Sequence, residues 1–195
     1  MKLKKNILFL MAGPQGSGKG TQSALLADRL GLPHFVAGDC FRLVQKENSE
    51  VGKRVRDILG NGHLMTIDLW EQVVGRKLRD LKESSIILDG VLRSAEQIEA
   101  FEKIQVQKEW PPVLVINLNL PRQISIERLS RRGRHDDTPK QIEARLAWSE
   151  NEIKPVLTHF RAKGQVIDVE ADQPIQDVEA EIISKLKDLD LVADE

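Results

Sequence analysis

Runs of consecutive apolar residues alternate along this chain with longer segments in which apolar positions recur every three or four residues. The main runs are Ile7-Leu8-Phe9-Leu10-Met11, Ser85-Ile86-Ile87-Leu88 and Val113-Leu114-Val115-Ile116-Asn117-Leu118, with weaker ones at Phe35-Val36 and Val166-Ile167-Asp168-Val169. Strands without polar alternation are buried on both faces, the habit of parallel strands covered by helices on each side. The intervening segments predict helices over 18–30, 66–82, 94–108, 122–132, 139–162 and 174–188. In the fifth, Ile142, Leu146, Ile153, Val156, Leu157 and Phe160 keep helical spacing, and Pro155 predicts a kink or a break near Lys154. The pattern argues for one α/β domain over residues 1–195, built on a parallel sheet with helices on both faces. The acidic tail from Asp188 to Glu195 reads as frayed and solvated.

Lys2, Lys4 and Lys5 ahead of Ile7 to Ala12 superficially suggest a signal peptide. The run is short for one, lacks a small-residue cleavage pattern and leads straight into a glycine-rich loop, so a buried strand is the reading. With 41% apolar and 30% charged residues, and no stretch near the ~20 apolar residues of a membrane span, the composition is that of a soluble globular domain. A net charge of -1 supplies no field for nucleic acid or an anionic membrane, so any phosphate affinity must come from local arrangement. The single Cys40 excludes an internal disulfide and, with four scattered histidines, a Cys-rich zinc site. A reducing, cytoplasmic setting is expected. Trp70, Trp110 and Trp148 read as packing residues, Cys40 as a neutral packed thiol, and His135 as a group without a catalytic role.

The chemistry starts where the first strand ends. Gly13-Pro14-Gln15-Gly16-Ser17-Gly18-Lys19-Gly20-Thr21 follows the strand and opens a helix. Glycines let successive backbone N–H groups turn inward around a phosphate, and the helix adds its positive N-terminal dipole. Lys19 then reaches the transferring phosphates as a mobile point charge. The general phosphate-loop pattern has Ser or Thr directly after the lysine; here Gly20 stands there, with Thr21 next. Asp89 closes the apolar run Ile86-Ile87-Leu88, at the strand end where open parallel sheets bind ligands.

These residues resemble the adenylate kinase family of nucleoside monophosphate kinases, whose phosphate loop carries glycine after the lysine. The resemblance runs over nearly the whole chain, with its motifs in family order. It implies the P-loop nucleoside monophosphate kinase fold with a five-stranded parallel sheet, ATP and AMP as partners, and Mg²⁺ accompanying ATP. The ion would be held through water near Asp89 and Thr21, with no direct protein ligand. Gly16, Ser17, Gly18, Lys19, Gly20 and Thr21 would bind ATP phosphates. Ala37-Gly38-Asp39-Cys40-Phe41-Arg42 matches the segment whose arginine, here Arg42, grips the acceptor phosphate. Gly62-His63-Leu64-Met65 matches the loop covering the acceptor base. Asp89-Gly90-Val91-Leu92-Arg93 matches the turn that supplies a second arginine, Arg93, and Gln97 matches the glutamine that reads adenine. Gly133-Arg134-His135-Asp136-Asp137 and Arg145 match the lid motif and the arginine beyond it. Arg128 would lie over the donor adenine and Gln173-Pro174 would close on its edge. Counting from Arg128 makes Arg132, rather than Arg131, the lid arginine. Residues 36–65 would form the acceptor-binding segment and 131–137 a minimal lid; a monomer is expected.

Holding two nucleotides end to end gathers about six negative charges. Arg42, Arg93, Arg132, Arg134, Arg145 and Lys19 are the cations to meet them, and arginine's planar fork suits phosphate oxygens. Taken alone, the stretch from Arg128 to Arg145 also reads as a solvated basic face or an RNA-binding patch; beside the phosphate loop it reads as catalysis, and the near-neutral net charge discourages RNA. Ala37 stands where the family usually has threonine, as in UMP/CMP-type members, while Gln97 stays adenine-like. Val91-Leu92 replaces an aromatic residue and a proline, removing a fixed turn before Arg93. Gln15 replaces the loop's second proline. Three residues separate Arg132 from Asp136, fewer than short-lid members carry. A UMP/CMP or broad nucleoside monophosphate kinase is the alternative within the class, and a nucleotide-binding regulatory protein with weak turnover the alternative outside it.

Overall fold

The computed structural model of the chain describes residues 1–60, 65–132 and 139–193; at residues 132, 140, 141, 144, 145 and 148–150 it describes the backbone only. A short strand β1 (Lys2–Leu3) leads to β2 (Leu8–Ala12), α1 (Lys19–Leu30), β3 (His34–Val36), α2 (Ala37–Val44) and α3 (Glu50–Gly60). Next, α4 (Ile67–Trp70) passes through a π-helical stretch (Glu71–Gly75) into α5 (Arg76–Asp80). The chain continues with β4 (Ile86–Asp89), α6 (Ala95–Gln107), β5 (Val113–Asn119), α7 (Arg122–Arg132), α8 (Pro139–Ala162), β6 (Val166–Glu170), α9 (Ile175–Asp188) and β7 (Val192–Ala193).

The sheet has five strands in the order β3-β4-β2-β5-β6, every neighbouring pair parallel. All five residues of β2 are buried, and they divide between two cores by the period of a strand. Leu8, Leu10 and Ala12 face a cluster that includes Trp70, Phe101, Trp110 and Phe160; Phe9 and Met11 face one formed with Leu26 of α1 and Ile182 of α9. Two helical layers therefore sandwich the sheet, as the continuous apolar runs predict.

The structure departs from the sequence reading at four places. The segment after β3, for which that reading predicts no helix, holds the helices α2 and α3, both amphipathic and packed against each other. The helix predicted over 66–82 ends at Asp80 and is interrupted by the π-helical stretch. Pro155 does not break α8, which runs from Pro139 to Ala162; Val156, Leu157 and Phe160 beyond the proline are buried, and their packing holds the last turns in place. The tail is not fully solvated either. Leu191 and Val192 are buried, and β7 pairs antiparallel with β1, Lys2 opposite Ala193 and Leu3 opposite Val192. Trp70 and Trp110 are core residues, as expected; Trp148 has no described side chain.

Candidate active site

The carboxyl ends of β2, β4 and β5 converge on the phosphate loop. Gly13 begins it with φ 135°, and a Cβ there would come within 2.6 Å of the Leu118 carbonyl oxygen and 2.9 Å of Ser17 Oγ. Only glycine lets the loop pass so close to β5. Past the loop, Lys19 starts α1, and its Nζ donates to the carbonyls of Gly13 at 2.8 Å and Pro14 at 2.9 Å. Burial lowers the Lys19 pKa to about 8; the Asp89 carboxylate opposes that shift and the Arg93 guanidinium adds to it. Asp89 ends β4 in register with Met11 and Val36, and Oδ2 lies 3.6 Å from where a Cβ on Gly20 would stand. Ser17 is buried, its hydroxyl oxygen without a partner among the described residues, while Gly20 and Thr21 are exposed. A buried polar atom without a partner beside turned-in backbone fits a loop built for an anion.

Two clefts open here, with about 480 and 640 Å³ of free space. Gly13, Gln15, Lys19 and Glu152 line the first. Gly38, Arg42, Met65, Trp70, Val91 and Gln97 are among the residues that line the second. Gly90 and Arg93 line both. The turn that carries Arg93 is fixed at three points. Gly90 takes φ 67°, the indole Nε1–H of Trp70 donates to the Val91 carbonyl at 2.7 Å, and the backbone N–H of Arg93 donates to Gln97 Oε1 at 2.8 Å. Leu92 is also buried. The hydrogen bond from Trp70 thus constrains the turn where a proline is lacking.

The start of α6 explains Gln97. Ser94-Ala95-Glu96-Gln97 has capping-box spacing, and Ser94 Oγ accepts from the Gln97 N–H at 3.3 Å. The Gln97 side chain reaches back one residue further than in the usual box, to Arg93. One lone pair of Oε1 is thereby engaged, and the carboxamide is held in a single orientation against the second cleft.

Arg42 lines that cleft while its guanidinium pairs with Asp39, Nε to Oδ1 at 3.1 Å. Ala37 is buried in the core, and its neighbour Gly38 lines the second cleft. Cys40 is buried, and that burial pushes its thiol pKa up, as expected of a neutral packed thiol. On the other side of the loop, Arg128 reaches the Gly16 carbonyl at 3.4 Å and Asp172 at 3.5 Å, next to Gln173. The Gln173 carboxamide itself donates to the Glu170 carbonyl at 2.8 Å and to Glu181 Oε2 at 2.7 Å. His63, Leu64, Gly133, Arg134, His135, Asp136 and Asp137 lie outside the described residues, as do the side chains of Arg132 and Arg145.

Sequence reasoning overlooks Glu152, a buried carboxyl on α8 that lines the first cleft. A signal existed: it stands four residues before the buried Val156, on the apolar face of its helix. Trp70 is read only as packing, and its indole N–H has no signature in the sequence.

A protein-family model described as adenylate kinase matches residues 11–165. The adenylate kinase of Synechococcus sp. (strain CC9311) is 36% identical over 174 residues, 89% of this chain and 94% of the relative. That of Bifidobacterium longum (strain NCC 2705) is 34% identical over 92% of this chain and 99% of its own length. That of Prochlorococcus marinus subsp. pastoris is 32% identical, covering 94% and 98%. No described helix is long and apolar enough to cross a membrane.

Proposed function

The chain belongs to the adenylate kinase family, and from that membership we propose that it transfers the γ-phosphoryl group of ATP to AMP across the two clefts that meet at Arg93 and Gly90. An AMP phosphate oxygen attacks the γ-phosphorus in line, the bond to the β,γ-bridging oxygen breaks, and two ADP result. The observation that carries this reading is the sharing of Arg93 between a cleft containing Lys19 and a cleft containing Gln97. Such transfer needs alignment and charge neutralisation more than covalent help, and a cation common to both sites lies where the two phosphate groups must meet.

In this assignment Gly16, Ser17, Gly18, Gly20 and Thr21 offer the ATP phosphates their backbone, and Lys19 leaves the carbonyls of Gly13 and Pro14 for phosphate oxygens. Arg128 and the Gln173 turn flank the donor base. Arg42 exchanges Asp39 for the AMP phosphate; the existing pair is half-exposed, so little is lost. His63, Leu64 and Met65 cover the acceptor base and Gln97 reads its edge. Arg132, Arg134 and Arg145 bring the remaining positive charge, with 36–65 as the acceptor-binding segment and 131–137 as a minimal lid. The Asp89 carboxylate, at the end of β4 and close to Gly20, fits a hydrated Mg²⁺ carried in by ATP, and Thr21, next in the chain to Gly20, would share in holding it through water. When bound, the ion would neutralise charge on the ATP phosphates.

The test is ADP formation from ATP-Mg²⁺ with AMP, UMP, CMP, GMP and dTMP offered separately. AMP should lead by at least ~10-fold, because the wrong base leaves the Gln97 amide unpaired. Gln97→Ala should lower AMP efficiency far more than CMP efficiency. A wild-type preference for CMP or UMP would overturn the adenine assignment.

A further inference from the structure

Glu152 is a carboxyl in the wall of a cleft that this reading assigns to phosphates. Its residue is 8% exposed, and Oε1 is enclosed with no hydrogen-bond partner among the described residues. Its other oxygen, Oε2, lies 3.9 Å from Arg93 Nη1, within ion-pair range but too far for a hydrogen bond. A buried carboxyl whose one oxygen has no donor and whose other only approaches a cation is poorly solvated in its charged form.

The charges around it are few. Arg93 faces it from the turn after β4, and Arg93 and Asp89 in turn act on Lys19. Of the charged groups on the other elements packed on α8, Glu102 of α6 pairs with His159 and Lys163, Asp168 of β6 with Arg161, Arg122 of α7 with Glu143, and Arg128 of α7 with Asp172. Among the described residues, then, the Arg93 guanidinium is the cation that stabilises ionised Glu152, and the same guanidinium must turn to phosphate when nucleotides bind.

We propose that Glu152 is a positioning residue that holds Arg93 in the empty cleft as its counter-ion and takes up a proton when nucleotide phosphates claim that arginine. The proposal rests on the reading of the two clefts as the ATP and AMP sites. Two effects drive the uptake. Phosphate oxygens draw away the positive charge that favours the carboxylate, and they bring negative charge into the same low-dielectric space. The empty protein is poised for it, since burial already raises the Glu152 carboxyl to about 7 against the pull of Arg93. Uptake makes binding pH-dependent in a definite direction: above neutrality nucleotide affinity falls as pH rises, by up to ~10-fold per pH unit while the bound form keeps its proton.

Glu152→Gln removes the titration and keeps the shape. Titration calorimetry of AMP together with β,γ-imido-ATP and Mg²⁺, run at pH 8 in two buffers of different ionisation enthalpy, counts the protons taken up. Wild type should take up at least ~0.5 proton more than the variant. Between pH 7 and 8.5 its affinity should fall at least ~5-fold relative to the variant. Comparing the two proteins cancels the titration of Lys19 and of the nucleotides themselves. Glu152→Met, which also lacks a titrating group, should behave like Glu152→Gln and serves if the carboxamide variant does not fold. Equal proton uptake and parallel pH profiles in wild type and variants would overturn the coupling. Failure of wild type to bind either nucleotide would instead overturn the reading of the clefts, and this proposal with it.

Discussion

Replacing Glu152 by glutamine should also change the stability of the protein without nucleotide, by an amount that depends on pH. In the folded chain burial lifts this carboxyl from its ordinary 4.5 to about 7, with Arg93 pulling the other way. A group that binds its proton more tightly when folded supports folding fully below its unfolded-state pKa and loses that support as pH rises through the folded value. At about 1.4 kcal/mol for each tenfold change in proton affinity, the loss is complete above about pH 7.5 and comes to about 3 kcal/mol. Glutamine keeps the size and never ionises. Glu152→Gln should therefore match wild type near pH 4, gain on it from pH 5 to 7, and be more stable by about 2 to 3 kcal/mol at pH 8. Urea unfolding at pH 4.5, 6 and 8, followed by tryptophan fluorescence, measures the difference directly. In thermal unfolding each kcal/mol should appear as roughly 2 to 4 °C. A variant less stable than wild type at pH 8 would mean that the ion pair with Arg93 outweighs the burial of the carboxylate. A difference that does not change with pH would mean that Glu152 does not titrate in this range. Either result refutes the argument from desolvation.

Lys19→Met keeps the length of the side chain and removes its charge; kcat should fall at least ~10²-fold with the circular dichroism spectrum unchanged, and near-normal turnover would remove Lys19 from the proposed chemistry. Trp70→Phe deletes the indole N–H that donates to the buried Val91 carbonyl, and should cost about 1–3 kcal/mol in urea unfolding. The same variant should raise KM for AMP more than KM for ATP, because the loosened turn carries Arg93 and borders the cleft of Gln97; an unchanged KM for AMP would show that the hydrogen bond only stabilises the fold.

The sheet was legible because its strands carry no polar alternation. Ile86-Ile87-Leu88 or the five residues of β2 can only be buried on both faces, and helical segments on either side leave little choice of architecture. The phosphate loop was legible for a local reason as well, since strand, glycines, lysine and helix occur in order within one stretch. What escaped depends on contacts between distant residues. Helical spacing puts Glu152 on the apolar face with Val156 and so hints at its burial, but its partner has no such signal: only the fold sets it against Arg93, and the exposed Glu143 against Arg122. Trp70 and Val91 are 21 positions apart, so the hydrogen bond between them has no sequence signature. The helix α2 escaped because its N-cap residue, Val36, has no capping side chain and belongs to β3. Pro155 does not end α8, because the packing of the buried residues that follow it holds the helix together past the proline.

Arg93 and Gly90 border both clefts, so on the proposed assignment of those clefts to ATP and AMP the two substrates would not bind as strangers. A guanidinium drawn toward one phosphate group is presented differently to the other. By linkage, the factor by which bound ATP alters AMP affinity must equal the factor by which bound AMP alters ATP affinity. Any residue that changes the freedom of Arg93 then acts on a coupling constant rather than on either affinity alone. Such a mutant would shift each affinity, and would also change how strongly one nucleotide promotes or opposes the binding of the other.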